Sequence, residues 1–77
     1  MDFTYLPTLY ARHGFKQQTF ATAIGKSQSY VSQVVNNKKN VSSKGLSSMA
    51  SALGMTVAEF AFALEQAKEQ EAITQTA

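Results

Sequence analysis

Apolar residues in this 77-residue chain recur three and four apart almost from end to end, and no stretch alternates convincingly as a strand does. That period restricts the chain to helices packed on helices. Four glycines, Gly14, Gly25, Gly45 and Gly54, interrupt it. Three of them fall just past an apolar-periodic segment, where a left-handed residue ends a helix readily. The stops divide the chain into five expected helices. The first covers residues 5–13, with Pro7 in the first turn, where a missing N–H is harmless. It turns Leu6, Leu9 and Tyr10 inward. The second covers 17–24 (Phe20, Ala21 and Ile24 inward). The third, with Ser27 as its N-cap, runs to about 36 on a stripe of Val31, Val34 and Val35. A polar loop, Asn37-Lys38-Lys39-Asn40-Val41, leads to Ser42, the cap of a fourth helix over 43–53. Leu46, Met49, Ala50 and Leu53 form its inner face. Thr56 and Glu59 make a capping box that opens the fifth, which runs to about 69. Its core face is expected to hold Val57, Phe60, Ala61 and Leu64. Residues 1–70 read as one all-α, five-helix domain, and residues 71–77 as a frayed tail.

A chain of this length buries a modest core and has little stability to spare. Without cysteine it has neither disulfides nor thiolate metal sites, which fits a reducing compartment. No apolar stretch is long enough to span a bilayer, and the opening MDFTYLP lacks the basic flank and apolar run of a secretory signal. A soluble, cytoplasmic protein is expected. Enzymatic chemistry is poorly supplied. There is one histidine, His13, expected near the C-terminus of the first helix, and no carboxylate between Phe3 and Ala58 to orient a base. No ligand cluster for a metal is present, and no cofactor is expected.

The charge pattern is more telling than the net charge of +2. From Phe3 to Ala58 there are six positive residues (Arg12, Lys16, Lys26, Lys38, Lys39 and Lys44) and no acidic one. The acids are Asp2 and four glutamates from Glu59 onward. A basic body of this kind suits a polyanionic partner. Within it, the second helix, the turn at Gly25 and the third helix make a helix-turn-helix. Ala21 is small where two helices must cross closely, and Phe20, Ile24, Val31 and Val34 share one seam.

The outer face of the third helix is neutral. It carries Gln28, Ser29, Ser32 and Gln33, side chains that both donate and accept hydrogen bonds. Glutamine can make a two-bond contact with the edge of adenine, and serine bonds to several bases, whereas lysine grips any phosphate. Alone, these four residues read as an ordinary solvated surface. Beside the glycine turn and the acid-free body they read as a base-contacting face, with Gln28 and Ser29 foremost. Phosphate contacts are expected around it. Gln17 opens the second helix, where free N–H groups favour an anion. Asn36, Lys38, Lys39 and Asn40 follow the third helix. Lys44 opposes the dipole of the fourth helix, and a phosphate there would offset the cost. Contacts of this kind fix position, while base edges give specificity.

The run GFKQQTFATAIGKSQSYVSQVVNNKKN resembles the lambda-repressor-like, Cro-type helix-turn-helix regulators of phages and bacteria. The likeness continues through LSSMASALGMTVAEF and covers residues 5–64. It implies that Gln17 contacts phosphate and buttresses Gln28, that Gln28, Ser29, Ser32 and Gln33 face bases, and that Asn36 and the loop after it meet the sugar-phosphate backbone. Departures are visible. Lys26 stands at a turn position usually apolar, so its stem is expected to cover the core while its ammonium reaches outward. Val35 replaces a common glutamate, and Asn37 a common glycine. Asparagine tolerates the left-handed conformation. Tyr30 replaces a small residue and either reaches the DNA backbone or a base, or packs as a partly buried aromatic.

The resemblance implies a sequence-specific regulator of transcription, a repressor or a Cro-like or controller protein. Such proteins bind double-stranded DNA as homodimers, with half-sites about one helical turn, ~34 Å, apart. Phe62, opposite the core face of the fifth helix and beside Ala58, is the expected dimer contact. The competing expectation is a protein-binding module, such as an antitoxin whose first partner is another protein.

Overall fold

The apolar period folds into α1 (Leu6–Arg12), α2 (Gln17–Ala23), α3 (Gln28–Val35), α4 (Ser43–Ala52) and α5 (Val57–Thr76), with no strand among the described residues. This computed structural model describes residues 1–70 in full and the helical backbone on to Thr76. The frayed tail expected over 71–77 lies outside the fully described residues. The expected bounds of the first four helices differ from these by one residue at one or both ends, where terminal caps count as helix, whereas the backbone of α5 stays helical past the expected end near residue 69, on to Thr76.

The first four helices close in the same way. At the end of α2 the N–H of Lys26 donates to the Ala21 carbonyl at 2.9 Å, and the N–H of Gly25 to the Thr22 carbonyl at 3.1 Å. These are the paired bonds of a Schellman stop, and they need a left-handed residue between them. Gly25 supplies it with φ of +71°. The same pair closes α1 around Gly14 and α4 around Gly54. It also closes α3, where Lys38 N–H meets the Gln33 carbonyl at 2.9 Å and Asn37 N–H the Val34 carbonyl at 3.0 Å. Asn37 has φ of +57° and is the one non-glycine residue with positive φ among the described residues. Gly45 serves differently, since a Cβ there would come within 2.9 Å of the Val41 side chain. Its absence lets the loop lie against the start of α4.

The helix starts follow their sequence signals. Ser27 accepts from the Tyr30 N–H, and Ser42 from the Gly45 N–H, each at 3.1 Å. Thr56 and Glu59 exchange bonds as a capping box, at 2.8 and 3.1 Å.

One core joins all five helices. Phe20 is fully buried at its centre, with the Tyr10 ring stacked on it at 5.0 Å and the Phe15 ring edge-on at 5.7 Å. Val31 and Val34 meet it from α3, Met49 from α4, and Phe60 and Leu64 from α5. α2 packs chiefly on α3, while α5 supports α1 and α4. Arg12 reaches α5 by donating to Gln70 Oε1 at 2.6 Å. The expectation for Val57 is corrected: it is 38% exposed. The buried stripe of α5 begins at Phe60 and continues through Leu64 and Ala67, so Val57 sits one turn before the helix reaches the core. Ile24, Val35 and Leu46 are half-buried against the core. The expectation for Ala61 is corrected: it is half-buried off the core, and Ala63 packs there instead, because the stripe of α5 follows Phe60, Leu64 and Ala67. Phe3 is buried although it precedes the first helix.

Phe20 touches both neighbouring aromatic rings, so truncating it removes the centre of the core. Phe20→Ala is expected to cost about 3–5 kcal/mol in urea unfolding. That is much of the roughly 4–12 kcal/mol available to a domain of this size. A loss below about 1 kcal/mol would contradict this placement.

Candidate nucleic-acid interface

The turn between α2 and α3 leaves α3 with one face on the core and the other in solvent. Gln28, Ser29 and Gln33 are exposed, and Ser32 is half-buried beside them. Among the described residues none of their side chains has a hydrogen-bond partner within the chain, so their donors and acceptors remain available. Gln28 and Ser29 lie in the first turn, immediately after the Ser27 cap.

Lysines stand at both ends of this face. Tyr30 organises two of them. It is half-buried against the core, with Lys26 Nζ 5.3 Å and Lys39 Nζ 5.5 Å from its ring centroid. The ring thus collects one cation from the turn before α3 and one from the loop after it, each held by attraction to the π face. Tyr30 takes the packed position rather than projecting freely. Lys26 is exposed, with its ammonium directed to that ring. Beyond Tyr30 a cleft of about 290 Å³ separates the α2–α3 turn from the start of α4, lined by Lys26, Tyr30, Ser42, Lys44 and Ser48 among others. Lys44 therefore faces the same side of the molecule as Lys26.

The remaining expected phosphate contacts are divided. Gln17 is half-buried at the first position of α2, a helix with no side chain accepting from its first turn. Lys38 and Asn40 are exposed in the loop. Asn36 is exposed at the end of α3, and its Nδ2 donates one hydrogen to the Ser32 carbonyl at 2.8 Å, which leaves the second amide hydrogen open.

Asn37 carries a feature not foreseen from the sequence. Its Oδ1 accepts from the Phe3 N–H at 2.9 Å, and its Nδ2 donates to Asp2 Oδ1 at 3.2 Å and to Thr4 Oγ1 at 3.1 Å. Asp2 Oδ1 also accepts from the Thr4 hydroxyl at 2.6 Å and the Thr4 N–H at 3.0 Å, and Asp2 Oδ2 lies 3.8 Å from Lys68 Nζ. The substitution of asparagine for glycine was visible in the sequence. Its partners, more than thirty positions away, were not.

The turn at Gly25 between α2 and α3, together with the exposed face of α3, thus makes a helix-turn-helix. A helix-turn-helix family model matches residues 9–60, from within α1 into α5. The chain belongs to the lambda-repressor-like helix-turn-helix family, whose members are DNA-binding regulators and not enzymes. Among solved structures it is similar to the crystal structure of the clp gene regulator ClgR from Corynebacterium glutamicum. The two share 28% sequence identity with a TM-score of 0.68, over 95% of this chain and 82% of that one. No curated protein matches it. No single helix among the described residues is long and apolar enough to cross a membrane.

The Asp2 contacts have a measurable signature. Hydrogen bonds from the Thr4 hydroxyl and N–H, then from Asn37, with Lys68 nearby, hold its carboxyl at about 2 against an ordinary 3.8. The folded value lies below the unfolded one, so these contacts support the fold fully above about pH 4 and are lost as the pH falls through about 2. A carboxyl NMR titration should place the midpoint near 2, and Thr4→Val should raise it toward the ordinary value. A wild-type midpoint near 4 would show that the cluster does not form in solution.

Proposed function

We propose that the protein is a sequence-specific transcriptional regulator that reads the major groove of double-stranded DNA with α3. The observation that carries this reading is the neutral, unpartnered face of Gln28, Ser29, Ser32 and Gln33, framed by lysines. Those side chains can read base edges, while Lys26, Lys38, Lys39 and Lys44, with Gln17, Asn40 and Tyr30 beside them, supply a positive frame for phosphates. Asn36 contributes by holding the end of α3. Family membership supports DNA binding by this face. A role as a repressor or a Cro-like or controller protein, in the cytoplasm, is part of the same proposal, with residues 1–70 as the functional domain.

A homodimer on a two-fold operator completes the reading. Phe62 is 64% exposed, and Ala58, one turn before it on the same face of α5, is exposed too, which supports α5 as the contact between copies. The same patch is what favours the second reading, in which an antitoxin-type chain binds another protein there. A dimer joined at Phe62 should fall to monomer in Phe62→Glu while keeping its helical circular dichroism. Sedimentation showing an intact dimer in the variant would remove Phe62 from the interface.

Selection of bound duplexes from a random-sequence pool, at near-physiological salt, tests the main proposal. Enrichment of an inverted repeat supports a dimeric, sequence-specific regulator. Enrichment of a single half-site retains the role of α3 and rejects the symmetric dimer. No enrichment by folded protein rejects the DNA reading in favour of the protein-binding one. On a selected duplex, Gln28→Ala should cost on the order of 1–3 kcal/mol and relax preference at one position per half-site. Wild-type affinity and preference in that variant would reject Gln28 as a base contact.

A further inference from the structure

We propose that Asn37 is a positioning residue, through which the segment Asp2–Thr4 sets how the loop lysines are presented to a DNA backbone. This rests on the DNA-binding reading above and assigns a role to a part of the chain outside the helix-turn-helix.

Four helices share one stop, and three of them use glycine at the left-handed residue. The fourth, at the end of the reading helix, uses asparagine. A side chain is retained where glycine would fit with less strain, and that side chain is fully engaged. Its acceptor holds the Phe3 N–H, and its amide donors hold Asp2 and Thr4. The far end of these bonds is firm. Phe3 is buried in the core, Asp2 is tied twice to Thr4, and Lys68 of α5 stands beside its second oxygen. Among the described residues, every side-chain hydrogen bond between the loop 37–41 and another segment passes through Asn37. Lys38 and Lys39 are the next two residues. The end of α3 and the start of the lysine loop are therefore fixed to the segment ahead of α1.

The expected consequence is that breaking this tie loosens phosphate contact without removing a charge from the loop. Asn37→Gly keeps the left-handed turn and deletes the three side-chain bonds. Binding to a mixed-sequence duplex should weaken about threefold to tenfold, and the salt dependence should flatten by about one unit, as for loss of one phosphate contact. Lys39→Ala, which removes a contact outright, provides the comparison. Asn37→Asp sets a second carboxylate against Asp2 and should weaken binding further. Adding Asp2→Asn to that variant exchanges the amide and the carboxylate while leaving composition and net charge as in the wild type. Binding should then recover most of the loss, a rescue that a simple change in stability or charge does not give.

Binding would be measured on the full chain across a salt series, with folding verified by thermal unfolding of each variant. Reduced affinity and a flatter slope in folded Asn37→Gly support the proposal, and so does recovery in the exchanged pair. An unchanged affinity and slope in Asn37→Gly, while Lys39→Ala loses both, overturns it and leaves the DNA reading standing. Absence of recovery in a folded exchanged pair also overturns it. A wild-type protein that binds no duplex overturns the DNA reading and this proposal together.

Discussion

The left-handed stop is the constraint on which this fold depends. A helix of seven or eight residues has little stability of its own, and four of the five here are this short or only slightly longer. Each must end abruptly enough for the next to return onto the same core. Two backbone bonds around one residue of positive φ accomplish that reversal and satisfy carbonyls that would otherwise be left open. At Gly25 the reversal brings Val31 and Val34 back onto Phe20. The same event turns Gln28, Ser29 and Gln33 away from the core. The packing of α3 and the exposure of its polar face are thus two results of one turn.

The long helix α5 plays a different part. It supports α1 and α4 through Phe60, Leu64 and Ala67, and it does not touch the exposed face of α3 through any described hydrogen bond. The acidic residues follow the same division. Glu59 is used in a cap, Glu65 and Glu69 lie on α5, and Asp2 is enclosed by its own hydrogen bonds. The lysines around α3 consequently meet no carboxylate partner among the described residues, and the positive field of that side is left unneutralised.

Much of this was legible in the sequence because it is local. Helical spacing, the caps at Ser27 and Ser42, and the Thr56–Glu59 box each depend on residues within one turn of one another. The glycine stops are read the same way. Val57 was misplaced because spacing fixes a face but does not say where along a helix the core begins. Phe3 was missed because it lies outside any periodic segment and is buried only through the fold around it. In the site, the neutral face of α3 could be read from residue type and register. The pairing of Asn37 with Asp2 and Thr4, and the gathering of Lys26 and Lys39 at Tyr30, join segments that only the tertiary structure brings together. Asn36 adds a local bond that spacing alone does not announce, one amide hydrogen given to the carbonyl of the preceding turn.

The two lysines at Tyr30 have a consequence for the entropy of association. A free lysine side chain carries about 2 kcal/mol of rotamer entropy, which is lost when it is immobilised. A lysine already resting against an aromatic ring has surrendered part of that freedom before any partner arrives. Some of the ordering is therefore completed during folding rather than on contact. Such an interface loses less disorder when it forms, and its association is expected to depend less on temperature than that of a surface whose cations swing freely.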